Sequence, residues 1–266
     1  MTNYATPGAR FLWPALVWLL VSYGTVICLP NAFLVRITQE DSLFENLTCV
    51  GFFAAAALFG YLYFADSEGN DFYFFRLRRN VFYLLLGLLF FFCGGEEISW
   101  GQRIFHTEAS GFFATNLQHE TTLHNMPGLV RGYYNSQGKW VEQPGGLGAR
   151  LFSQENLMNL FNYSWGVLVP LTAIFNLRLR RFWQRLNVPV VPLLLGLLLV
   201  LNNAMLHVAR LFLPGNNEVT GVKIVEVKEC NIALFFFTIG LWFVLAKQCF
   251  VPTKLPAMPP ALAPAR

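Results

Sequence analysis

Two adjacent glutamates, Glu96 and Glu97, follow directly on the apolar run Leu89-Phe90-Phe91-Phe92-Cys93. An ionised carboxylate at the bilayer centre costs on the order of 2.5 to 3.5 kcal/mol on insertion scales, so a pair here marks either the end of a membrane span or a functional site. On a continuing helix, Glu96, Trp100 and Arg103 fall at i, i+4 and i+7 on one face, where the guanidinium can reach back to a carboxylate. Asn116, Glu120 and His124 are spaced four apart, and on a helix they form one stripe whose Glu and His could share a metal ion or a proton. The same spacing also serves structural capping, and the second histidine of HExxH is absent. Asn203, His207 and Arg210 interrupt a Leu/Val run at i, i+4 and i+7, a pattern suited to chemistry or to hydrogen-bond glue between helices. Glu226 and Glu229 sit one turn apart where the last apolar segment opens, with Lys223 in reach.

Glu96, Glu97, Glu120, Glu226 and Glu229, with Arg103, Arg210, His124 and His207, could therefore face one polar pocket. Carboxylates crowded beside arginine in a partly dry site can separate into a proton-donating acid and an ionised base. Glu97, Glu120, His124 and His207 could equally hold a divalent cation such as zinc in a mixed Glu/His shell.

The elements that must position these residues are membrane spans. The chain of 266 residues is 55% hydrophobic and 13% charged, with a net charge of +4 and a mean hydropathy of +0.45. Soluble domains carry about a quarter charged residues, so this composition excludes a soluble globular protein and equally a disordered or fibrous one. About six apolar runs approach the roughly 20 residues needed to cross a hydrocarbon core. They lie near 11–29, 43–64, 81–98, 157–175, 188–213 and 230–247. The expected fold is an all-α polytopic membrane helix bundle, a single integral membrane domain over 1–266. The first run is read as a retained span, because its apolar core is too long for a signal peptide and no A-x-A pattern follows it.

Lys and Arg set the orientation. With the N-terminus in the cytoplasm, Arg10, then Arg76, Arg78 and Arg79, then Arg178, Arg180, Arg181 and Arg185, then Lys247, Lys254 and Arg266 fall inside, while the short outer loops keep Arg36, Lys223 and Lys228. The positive-inside rule then makes both termini cytoplasmic and turns the connection 99–153 outward; the expected location is a bacterial inner membrane, with that connection in the periplasm. Its second half is Gly-rich and reads as a loop with one hairpin. The Pro/Ala-rich tail 251–266 is expected to be disordered. Arg178 to Arg185 reads as a topology determinant that contacts anionic lipid. The cysteines fall in or at the ends of apolar runs and read as buried small hydrophobes. No basic run with interleaved stacking aromatics is present, so nucleic acid is not an expected partner.

The words Gly95-Glu96-Glu97-Ile98-Ser99-Trp100-Gly101-Gln102-Arg103 and Asn116-Leu117-Gln118 through His124-Asn125 resemble motifs of multi-pass bacterial membrane proteins of unassigned function. That resemblance covers about a tenth of the chain and implies a fold without a reaction. A second likeness, to alkaline ceramidase-like membrane hydrolases, extends only to acids and histidines at outer span ends. The paired HxxxH histidines of those enzymes are missing here, and no residue carries over. Three functions fit the residues. The first is a hydrolase or group transferase acting on a lipid or lipid-linked substrate, with Glu97 as general base or metal ligand, His124 and His207 as ligands or proton shuttles, and Arg103 and Arg210 as anion clamps. The second is a proton- or ion-coupled transporter, which the absence of an inverted arrangement of acids disfavours. The third is a noncatalytic subunit or assembly factor with Trp140, Tyr133 and Tyr134 at the interface.

Overall fold

A computed structural model describes residues 9–38, 42–65, 79–117, 119–123, 126–127, 129, 132–134, 140–142, 151, 153–212 and 223–249. The elements are α1 (Ala9–Cys28), α2 (Asn31–Thr38), α3 (Leu43–Ala65), α4 (Val81–Glu97), α5 (Gln102–Phe105), β1 (Gly132–Tyr134), β2 (Trp140–Glu142), α6 (Gln154–Tyr163), α7 (Val169–Phe175), α8 (Leu177–Arg185), α9 (Leu193–Phe212) and α10 (Ile224–Cys249). The bundle is all-α apart from the expected hairpin, in which β1 and β2 pair antiparallel. The side chains of that hairpin, including Tyr133, Tyr134 and Trp140, lie outside the described residues, as does the tail 251–266.

Among the described residues, five stretches are long and apolar enough to cross a membrane: Arg10–Cys28, Asn31–Ala65, Gln154–Phe175, Leu193–Phe212 and Ile224–Ala246. The remaining apolar run forms α4, whose 17 residues stand at the lower limit for a crossing helix. The reason α4 is short lies at its two ends. Asn80 caps its start by accepting from Phe82 N at 3.0 Å, while its amide donates to the Asn187 carbonyl at 2.7 Å. At the other end, Ser99, Trp100 and Gly101 all adopt positive φ, at 48°, 52° and 82°. A continuous helix through Glu96, Trp100 and Arg103 therefore does not form, because left-handed residues cannot extend a right-handed helix.

The run Gln154–Phe175 is one apolar length with a π turn over Ser164–Leu168 between α6 and α7. Pro170 lacks the N–H that an α-helix would return to the Gly166 carbonyl, and the ladder widens there. At that turn the backbone meets α9. A Cβ placed on Gly196 would collide with the Gly166 carbonyl oxygen, so two glycines permit the approach, as small residues do between membrane helices.

α10 is the central helix, packed against α1, α2, α3 and α9, while α4 packs on α3. Aromatic rings fill the space between these helices. Phe90 of α4 stacks on Phe236 of α10 at 4.5 Å between centroids, and Phe161 of α6 stacks on Trp165 at 5.4 Å. Phe59 joins them from α3, 5.4 Å from Phe90. Polar side chains fix the register of α1, α9 and α10. The Tyr23 hydroxyl lies 3.0 Å from both the carbonyl and Oδ1 of Asn202. Asn231 Nδ2 donates to the same Oδ1 at 3.0 Å, Asn202 Nδ2 donates to the Lys228 carbonyl at 2.9 Å, and Trp18 Nε1 donates to Asn231 Oδ1 at 2.8 Å. Hydrogen-bond glue is thus present on α9, carried chiefly by Asn202.

The glycine contact gives a contrast that thermal unfolding in detergent can check. Gly196→Ala should destabilise the bundle by about 3 kcal/mol, as overpacking against backbone does. Gly24→Ala, at a helix site with nothing within 4 Å of the new methyl, should change stability by less than about 1 kcal/mol.

Candidate functional site: an acidic cavity at the helix ends

The break after α4 and the segment 116–123 are built together. Glu96 is buried, and its Oε1 accepts from Trp100 Nε1 while Oε2 accepts from Leu123 N, both at 2.7 Å. The Trp100 ring can sit there because residue 95 is glycine: a Cβ on Gly95 would lie 2.8 Å from the ring. Gln102 donates to the His119 carbonyl at 2.9 Å and accepts from Thr121 N at 2.6 Å, and the Thr121 hydroxyl donates to the Ser99 carbonyl at 2.7 Å. Asn116, fully enclosed, donates to the Thr122 carbonyl at 2.7 Å and accepts from Glu120 N at 3.2 Å. The two sequence words therefore recognise each other.

That lacing corrects the expected helical stripe of Asn116, Glu120 and His124. Residues 116–117 and 119–123 are not helical, with His119 at φ 58°, because Asn116 offers the backbone local hydrogen bonds that compete with a helix. Glu120 is buried there. His124 lies outside the described residues, as does the side chain of Arg103. His207 is exposed on α9 and does not line the cavity. Asn203, expected on the same face, instead donates to the Tyr163 hydroxyl at 2.7 Å.

The acids at the ends of α4 and α10 do converge. Glu97, Glu226 and Glu229 each present a carboxylate oxygen within 4.8 Å of the others, and all three are half-buried. Glu226 and Glu229 belong to the first turns of α10, which begins ahead of the apolar run. Glu96, Glu97 and Glu229 line a cavity of about 650 Å³, together with Arg210 from the end of α9 and Lys228. Its other walls are mostly apolar, among them Phe52, Leu89, Phe90, Met158 and Phe161. The two neighbouring glutamates thus divide their roles. Glu96 holds the turn that covers the helix end, and Glu97 joins the acids of α10.

Three residues of this site carry no expectation of a site role from the sequence, and Lys228, expected in an outer loop, lies within α10. Lys228 is buried, and its Nζ lies 3.7 Å from Glu155 Oε1, which stands at the start of α6. Glu45, in the first turn of α3, is buried and close enough for its charge to act on Glu97. A basic residue wedged among acids in Glu226-Val227-Lys228-Glu229 was the available signal for Lys228. Glu45 and Glu155 look in the sequence like ordinary helix-start acids, which favour that position through the helix dipole.

Chemically, three carboxylate oxygens at this spacing repel one another unless a cation or shared protons compensate them. An all-oxygen set suits hard cations such as Mg²⁺, Mn²⁺ or Ca²⁺ better than zinc, which favours nitrogen and sulfur. No family model, curated protein or solved structure matches the chain.

The role of Glu96 is open to a direct check. Glu96→Gln keeps an acceptor for Trp100 but turns an amide donor toward Leu123 N, so it should cost about 2 kcal/mol of stability. Limited proteolysis should then cut between residues 99 and 123 faster than in wild type.

Proposed function

We propose that the protein is an integral membrane enzyme that takes a lipid or lipid-linked substrate into this cavity and carries out hydrolysis or group transfer at its headgroup. The carrying observation is the joining of apolar walls to a charged end in one cavity of about 650 Å³. That volume falls in the range of small-molecule sites, and its composition fits an amphiphile. An acyl or prenyl chain would lie against Phe52, Leu89, Phe90 and Phe161. The headgroup would meet Glu97 and Glu229 on one side and Arg210 and Lys228 on the other. In hydrolysis one carboxylate of the Glu97/Glu229 pair takes the proton from an attacking water, and the other, protonated, delivers a proton to the leaving group. Arg210 and Lys228 balance the negative charge that develops between them. Glu226 completes the set of oxygens that a divalent cation would use. The distribution of Lys and Arg supports a cavity that opens at the outer leaflet with both termini cytoplasmic, and the membrane is read as a bacterial inner membrane. A carrier would place its site near the midplane, whereas these acids gather at helix ends.

The test is turnover by the purified protein in liposomes of bacterial lipid extract, followed by mass spectrometry with and without Mg²⁺ or Mn²⁺. Glu97→Gln and Glu229→Gln should each lose about a hundredfold or more in rate, the usual scale for removing a general acid or base. Arg210→Gln should raise KM. Lipid bound by the wild type without turnover under any of these conditions would overturn the enzymatic reading.

A further inference from the structure

At the far end of the bundle from this cavity, between the crossings Gln154–Phe175 and Leu193–Phe212, lies the nine-residue helix α8, Leu-Arg-Leu-Arg-Arg-Phe-Trp-Gln-Arg. Its four arginines have different surroundings. Arg180 turns back on the protein: its Nε donates to the Ala173 carbonyl at 2.6 Å and its Nη2 to the Ile174 carbonyl at 3.4 Å. Trp183 does the same, donating from Nε1 to Thr172 Oγ1 at 2.9 Å. Asn176 caps the helix, accepting from Arg178 N and Leu179 N at 2.9 and 3.2 Å. The helix is therefore fastened to α7 along one side.

Arg178, Arg181 and Arg185 are exposed. At spacings of three and seven residues they span about 60° of helix arc, a single stripe. The sequence has no acid between Glu155 and Glu218, and among the described residues none of these three guanidiniums makes an ion pair. Beside the stripe stand Phe175, Leu177 and Phe182, which are 81%, 65% and 47% exposed. Arginines over exposed apolar side chains are the composition of a helix lying in the membrane interface.

We propose that α8 is a seat for anionic phospholipid headgroups, in which Arg178, Arg181 and Arg185 bind headgroup phosphates while Phe175, Leu177 and Phe182 sit among the acyl chains. The placement selects lipid over other anions. α8 starts immediately after a membrane-length helix run, so its guanidiniums stay at headgroup depth, and guanidinium geometry matches phosphate oxygens bidentately. A soluble phosphate or acidic protein would leave the neighbouring apolar side chains unused.

The experiment is native mass spectrometry of the full chain in neutral detergent, titrated with phosphatidylglycerol or phosphatidylcholine. Wild type should bind phosphatidylglycerol preferentially. An arginine near an anionic surface contributes about fivefold in affinity, so the combined Arg178→Gln, Arg181→Gln and Arg185→Gln variant should bind phosphatidylglycerol roughly a hundredfold more weakly. Lysine at the same three positions keeps the charge without the bidentate fork, so it should bind more tightly than the glutamine variant and more weakly than wild type. Equal affinity for the two lipids, or a glutamine variant that binds like wild type, would overturn the proposal. Should the glutamine variant not fold, salt decides it: wild-type affinity for phosphatidylglycerol must fall at least tenfold with rising NaCl, and a salt-independent affinity overturns it.

Discussion

The carboxylate of Glu96 accepts two hydrogen bonds, from the Trp100 indole and the Leu123 backbone, and the arrangement of the whole cavity end depends on it. Donors on both oxygens offset the cost of burying that carboxylate, since a buried carboxylate without partners is far more costly. Its grip on Trp100 accompanies a left-handed turn directly after α4, which stops that helix. Its grip on Leu123 folds the following segment back over the stop. Glu97, one residue on and about 100° around the helix, is thereby left at the last helical position, beside the acids of α10.

A second polar centre works at a right angle to the first in its effect, setting how helices sit rather than where one ends. Asn202 is engaged from α1 by Tyr23 and from α10 by Asn231 and the Lys228 carbonyl. By fixing the Lys228 backbone it also fixes the turn of α10 that carries Lys228 and Glu229. Membrane helices gain little from apolar burial against one another, so such bonds and close small-residue contacts decide register. Gly166 against Gly196 provides that close contact on the other side of α9.

Much of this was legible in the sequence and some was not, for identifiable reasons. The apolar runs are long and uninterrupted, so hydropathy located the helices and placed the ends of α4, α9 and α10 on one side of the bundle. That topology alone brings Glu97, Glu226, Glu229 and Arg210 to one region. Helical spacing failed where the chain leaves the helix. Glu96 and Trp100 do meet, but across a left-handed turn that no i, i+4 rule describes, and Asn116 to Leu123 is held by side chain–backbone bonds that have no period. On α9 the spacing put Asn203, His207 and Arg210 on one face, yet burial selected Asn202 instead. Lys228 and Glu155 come from distant segments, and their meeting depends on packing that periodicity does not encode.

The brevity of α4 bears on the membrane itself. Seventeen residues rise about 25 Å, against a hydrocarbon layer about 30 Å thick. Where α4 crosses, that deficit of roughly 5 Å is met by thinning of the adjacent leaflet, at a modest cost for each ångström. The helix stops beside Glu97, and the exposed Phe91 and the cavity-lining Phe92 come just before the stop. Thinning at the Glu97 end would bring the lipid surface toward the acids, and bilayer thickness would then set how far the headgroup of the proposed substrate must descend to reach them.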